Sequence, residues 1–228
     1  MKKKLLVLIL LCCTIFSFTG CKKHEINLSD YLIEERNNLF TANDEVYSVN
    51  LSSGKREENY NFDGTVGNMV DFAVLTLVRN DNLPLANDNY SYLVKVNDNE
   101  YTGFLEKSPV DNSYVSDFGV EIPNDAQISV CISFTGYTFN KELVNTSNNF
   151  SVDKNSALNI ANSELKEEIE NILKDNNTKI EVVMKILKDY SVQDNPKYFW
   201  YIGTIATSGE TLGILIDATN GDIIAKKV

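Results

Sequence analysis

Ala126-Gln127-Ile128-Ser129-Val130-Cys131-Ile132-Ser133-Phe134 alternates apolar and small polar residues without a break. In an extended chain successive side chains point to opposite faces. Ile128, Val130, Ile132 and Phe134 therefore share one face, and Ser129, Cys131 and Ser133 the other. That pattern predicts a half-buried strand. The same period recurs on either side. Tyr47, Val49 and Leu51 alternate before Ser52-Ser53-Gly54, and Tyr90, Tyr92, Val94 and Val96 alternate before Asn97-Asp98-Asn99. Met69 to Val78 is almost continuously apolar, as expected of a strand covered on both faces. Further strands are expected at Tyr101–Leu105, Tyr114–Ile122 and Tyr137–Phe139.

Short strands separated by turn residues suggest two packed antiparallel sheets, so residues 41–146 are expected to form an immunoglobulin-like β-sandwich. The Cys…Trp…Cys signature of true immunoglobulin domains is missing, and only the architecture is implied. Upstream, residues 21–40 read as a tether in which Leu28, Tyr31, Leu32 and Leu39 share one face of a short helix. Downstream, Asn145-Thr146-Ser147-Asn148-Asn149 has nothing to bury and marks a boundary.

Residues 150–228 carry a different pattern. Asp153 can cap a helix along which Leu158, Ala161, Leu165, Ile169, Ile172 and Leu173 recur at helical spacing. Strands are expected at Ile180–Leu187, Tyr198–Ala206, Thr211–Asp217 and Asp222–Lys226. One helix on a four-stranded antiparallel sheet is a small α+β unit, and the chain as a whole is expected to be α+β.

Composition narrows the chemistry. The chain has 228 residues, 32 acidic and 21 basic side chains, and a formal net charge of -11. Such a balance argues against a nucleic-acid partner, which needs clustered Lys and Arg. There is one histidine, so zinc sites needing two imidazoles are excluded, as are most nucleophile–histidine pairs. The Asn/Asp-rich turns at 80–82, 87–89, 97–100 and 111–112 are oxygen-rich, but none has calcium-loop spacing. Asn and Asp dominate turns for local backbone reasons. No metal, cofactor or catalytic residue is expected.

The N-terminus reads as an address. Lys2-Lys3-Lys4 precedes an uncharged run from Leu5 to Gly20, shorter than the roughly 20 residues of a comfortable membrane span. Phe18-Thr19-Gly20-Cys21 resembles the bacterial lipobox, with Phe18 where Leu usually stands. That resemblance implies a signal peptide over 1–20 and a lipid, such as palmitate, on Cys21. The mature protein would then sit on the extracytoplasmic face of the cell membrane. Cys12 and Cys13 would leave with the signal, and Cys131 alone would remain, so no internal disulfide is available. His24, the sole histidine, stands beside the anchor, out of reach of a nucleophile at Cys131.

Ala157-x-x-Ile160-Ala161, the aromatic run around Trp200, and Asp217-Ala218-x-x-Gly221-x-Ile223 resemble the PepSY domain. The likeness covers about the last third of the chain and implies a role in inhibiting or regulating peptidases. No HExxH motif follows, which departs from a propeptide. Gly221 suits a tight turn, and Asp217 suits bonding that turn's amides. Taken together, the expected function is a non-enzymatic, membrane-anchored binding or regulatory lipoprotein acting on an extracytoplasmic protein or peptide. The alternatives are a solute- or metal-binding lipoprotein and a carboxylate-based cell-envelope hydrolase.

Overall fold

The alternating stretch around Cys131 forms strand β7 (Ile128–Phe134), with Ile128, Val130 and Ile132 buried and Cys131 on the opposite, half-exposed face. This computed structural model describes residues 26–81, 83–189 and 196–228. Before β7 come β1 (Leu32–Asn43), β2 (Tyr47–Glu57), β3 (Met69–Arg79), β4 (Tyr90–Val96), β5 (Asn99–Lys107) and β6 (Tyr114–Phe118). After it come β8 (Tyr137–Asn145), β9 (Ile180–Lys188), β10 (Tyr198–Ala206), β11 (Thr211–Asp217) and β12 (Ile223–Lys227). Two helices, α1 (Lys154–Glu164) and α2 (Lys166–Ile172), lie between β8 and β9.

Eight strands close on themselves in the order β1-β2-β3-β6-β5-β4-β7-β8, every pair antiparallel. Closure comes from β1 and β8, which pair Phe40 with Asn145 and Thr41 with Val144. The expected sandwich is thus corrected to a closed barrel. A strand with one apolar face satisfies either architecture, and the period of 2 does not say whether the first and last strands meet. An eight-stranded barrel is just wide enough for side chains to fill. Here Phe40, Leu51, Leu75, Tyr90, Val130 and Phe139 are among those that fill it. Closure also removes the unpaired edges that an open sandwich would present.

The second correction concerns the C-terminal strands. β9 runs parallel to the first half of β1, with Glu34, Glu35 and Arg36 opposite Val183, Met184 and Lys185. β10, β11 and β12 follow outward in antiparallel order. The four strands therefore extend the barrel's own sheet instead of forming a separate one. β1 serves both parts because its register slips between Arg36 and Asn38. A bulge bends a strand and increases its twist, so the half before it leaves the barrel wall and the half after it closes the wall. With 52% strand and 13% helix among the described residues, the fold is mostly β, not α+β.

The expected single helix is two, because the backbone at Leu165 leaves helical geometry (φ -103, ψ 4). Asp153 caps α1, its carboxylate accepting from the Ser156 N–H at 2.7 Å. Ala157, Leu158 and Ala161 of α1 and Ile169 and Ile172 of α2 pack with Val182, Met184, Trp200, Ile202, Ile214 and Ile216. The Trp200 indole donates to the Val152 carbonyl at 2.8 Å. The helical face read from Leu28 to Leu39 is not formed. Leu28–Tyr31 is a single 3-10 turn and the rest is β1. Leu28, fully buried, nevertheless joins the helix-side core.

Candidate functional site

On a strand pair, residues directly opposite one another are lateral neighbours on one face. The registers carry one such row across five strands, Tyr201 (β10), Lys185 (β9), Arg36 (β1), Gly54 (β2) and Phe72 (β3). The row lies on the side of the sheet away from α1 and α2. Gly54 is bare because a Cβ there would stand 1.9 Å from the Glu35 carbonyl oxygen, at the bulge. Arg36 and Arg56 both lie over the Phe72 ring, at 5.5 and 4.8 Å, and the Lys185 ammonium lies 5.6 Å from the Tyr201 ring. Two cations, Lys185 and Arg36, thus stand side by side with an aromatic ring in reach of each.

The acidic groups around this row have partners. Arg36 binds the Glu34 carboxylate at 2.6 Å, and Arg56 binds Asp117 at 2.5 Å. The β2–β3 loop folds over the sheet and supplies donors to buried carboxylates. The Gly64 N–H donates to Glu181, the Gly67 N–H to Glu57 and the Tyr60 hydroxyl to Glu34. Burial and the Glu34 charge hold the Tyr60 hydroxyl well above its ordinary pKa.

Lys185 is treated differently. Among the described residues no carboxylate lies within ion-pair distance of it. Burial, and then the neighbouring Arg36 charge, push its ammonium pKa down against the weaker pull of Glu34 and Asp111. Lys188, further along β9, is pushed down by burial and has a partner of its own.

Lys185 opens on a cleft of about 310 Å³ where β9 diverges from the barrel. One wall is the outer face of β1, β2 and β3, carrying Arg36, Ser52 and Thr76. The facing wall is the end of β9, Lys185 to Lys188, and the third side is the β5–β6 turn with Ser108, Asp111 and Ser113. Three cations and one carboxylate line it. Asp111 accepts from the Ser113 N–H at 2.9 Å and its hydroxyl at 2.5 Å. Burial acts to raise its pKa, and those bonds outweigh it and keep the carboxyl ionised to lower pH. Val74, Val110, Val115 and Leu187 supply apolar surface. Cations, hydroxyls and apolar walls on strands are the kinds of group that line small-molecule sites.

A roomier hollow, about 790 Å³, lies beside α2 and the β10–β11 turn. Its charged groups are already engaged: Glu168 binds Lys226 at 2.9 Å, Lys174 donates to Asn171, and Ser208 donates to Glu210. Its other charged side chains are exposed and carry hydrogen bonds to neutral neighbours, as Asp175 does with the Thr178 hydroxyl.

The residues singled out in the sequence lie elsewhere. Residues 1–25, which hold the expected signal peptide together with Cys21 and His24, are outside the described residues. Cys131 lies on the outer face of β7, with its sulfur 3.9 Å from the Ser133 hydroxyl. Asp217 accepts from the Thr219 N–H at 2.7 Å, and Gly221 adopts φ 81 in the same turn. Of the acidic turns, Asp81 is bound by Arg79 at 2.6 Å, and Asp88 accepts from Asn89 and Thr135. Arg36, Lys185 and Lys188 were not singled out. Their one visible signal is a lysine interrupting Ile180-Glu181-Val182-Val183-Met184-Lys185-Ile186-Leu187, and an outward lysine on a strand is ordinary. Compared with models of protein families, with curated proteins and with solved structures, the chain has no match.

Proposed function

We propose that this protein is a non-enzymatic binding lipoprotein, held through Cys21 on the extracytoplasmic face of the membrane, that takes its ligand in the cleft between the barrel and the β9 extension. The observation that carries this reading is the placement of Lys185. A half-buried ammonium beside a guanidinium, with no carboxylate at ion-pair distance among the described residues, is costly in an unliganded protein. Groups left in that condition on rigid strands mark a place where something binds. The lipobox resemblance supports the anchor, and Lys22-Lys23 would lie against anionic headgroups. The PepSY-like ending supports a regulatory task toward a peptidase or another envelope protein.

Two measurements test it. Cells making the chain are labelled with radioactive palmitate. Label is expected in the wild-type protein and absent from Cys21→Ala, and equal labelling of both would remove the anchor. The chain from Lys22 onward is then used to capture material from intact cells, beside a Thr76→Arg variant that fills the cleft. Capture is expected to disappear in the variant, and unchanged capture would place binding elsewhere.

A further inference from the structure

We propose that the cleft selects a small organic anion, whose carboxylate or phosphate oxygens bridge Arg36 and Lys185. This rests on the cleft being the ligand site, and adds the chemical class of the ligand.

The charge pattern is the first argument. In a chain of formal net charge -11, Arg36, Lys185 and Lys188 line one hollow together with a single carboxylate, Asp111, while Arg36 is paired with Glu34 and Lys188 has a partner of its own. Arg36 and Lys185 are direct partners across the β1–β9 pair. Like charges opposite one another on neighbouring strands are destabilising, and although Glu34 pairs with Arg36, no carboxylate among the described residues lies at ion-pair distance from Lys185. Arg36 reaches Glu34 through Nε and Nη2, both to the same carboxylate oxygen. That leaves Nη1 for a ligand. An oxyanion between the two cations would turn a repulsive contact into two charge-assisted hydrogen bonds.

The surroundings define the rest. Ser52 and Thr76 place hydroxyls on the barrel wall, where they can donate to further ligand oxygens. Val74, Val110, Val115 and Leu187 give a short hydrocarbon portion something to lie against. At about 310 Å³ the cleft stands at the lower bound of ligand pockets, which span roughly 300–1,000 Å³. It admits a small molecule or one end of a longer one. The acidic remainder of the surface disfavours a polyanion such as nucleic acid. Burial of Lys185 sharpens the preference, since it lowers the ammonium pKa and an anion seated beside it acts in the opposite direction, favouring the charged form.

The test titrates the chain from Lys22 onward with inorganic phosphate and, separately, with sodium hexanoate. Ionic strength is held constant with chloride, and backbone amide shifts of β1 and β9 are followed. Saturable shifts are expected with one or both. Phosphate alone identifies a phosphate group as the recognised head, hexanoate alone a carboxylate, and both a general oxyanion site. Lys185→Met keeps an unbranched side chain one atom shorter and without charge and is expected to weaken binding at least tenfold, whereas Lys95→Met, at an exposed pair with Glu100, leaves it unchanged. Thr76→Glu supplies an anion from the wall itself. It is expected to abolish binding and raise the melting temperature. Absence of saturation with both anions, or full binding by Lys185→Met, overturns the proposal. If the anions fail while capture is still lost in Thr76→Arg, the cleft remains the site and only the ligand class is wrong. If the anions bind while Thr76→Arg captures normally, the class stands and the cleft's role in capture falls.

Discussion

Leu28 lies four residues before β1, in a stretch whose sequence reads as a tether, yet it is fully buried in the core between the helices and β9–β11. Replacing it with Ala removes three carbon groups. At about 0.8 kcal/mol each, the lost transfer energy is about 2.4 kcal/mol. A cavity term is added when the site cannot collapse. Here the Leu28 N–H is held by the Asn162 side-chain oxygen at 2.8 Å, and the 3-10 turn runs straight into β1. The backbone therefore cannot sink into the space, and the total should be about 3–4 kcal/mol. The assay is urea denaturation followed by Trp200 fluorescence, because Trp200 is the single tryptophan and is buried in the same core. With a slope of about 2 kcal/mol per molar urea, the midpoint should fall by about 1.5–2 M. The control is Val110→Ala, at a residue 90% exposed, which should shift stability by less than about 0.5 kcal/mol. An unchanged Trp200 midpoint in Leu28→Ala would refute the reasoning. It would mean that the helix-side core is complete without the N-terminal segment, so that residues from about 150 onward stand alone.

Gly54→Ala should destabilise at least as strongly, because its Cβ would meet backbone, the Glu35 carbonyl oxygen at 1.9 Å and carbon at 2.8 Å, with no flexible side chain to yield. Gly136→Ala, at φ 75 with nothing within 4 Å, should cost only about 1 kcal/mol, and thermal melts showing equal losses for the two would contradict the bulge argument. Stability should also fall at alkaline pH. Tyr90 is pushed up to about 12 by burial, Tyr137 to about 12 chiefly by its hydrogen bond to Asp44, and Tyr60 is raised by burial and the Glu34 charge. Above the ordinary tyrosine value near 10 the unfolded chain releases protons that the native chain keeps, so stability is lost as pH rises from about 10 toward 12. Urea midpoints measured from pH 8 to 11 should decline at the upper end and decline less in Tyr137→Phe; a flat profile would remove the tyrosine contribution.

The strands were legible in the sequence to a large extent. Tyr47-Val49-Leu51, Tyr90 to Val96 and Ile128 to Phe134 each put one apolar face toward a core, and β2, β4 and β7 stand where that alternation places them. The apolar stripe behind Asp153 is helical, although the break at Leu165 left no local sign. Leu28 to Leu39 misled because four apolar residues in a twelve-residue span fit a helical face as readily as a turn followed by a bulged strand. The cleft was not legible at all. Arg36 and Lys185 are unremarkable singly, and they matter only as partners across a parallel pair.

What the sequence by itself determined is therefore the local layer: which residues extend, which coil, which side faces a core, and how much negative charge the surface carries. Only the tertiary structure decided which strands become neighbours. Side-chain periodicity is a property of one segment and is the same whether its partner belongs to a sandwich, a barrel or an extension. Pairing depends on contacts between distant segments. One slip of register beside Gly54 sends half of β1 to β9 and the other half to β8. That single bend closes the barrel, joins the C-terminal strands to it, and opens between them the cleft in which two cations face each other.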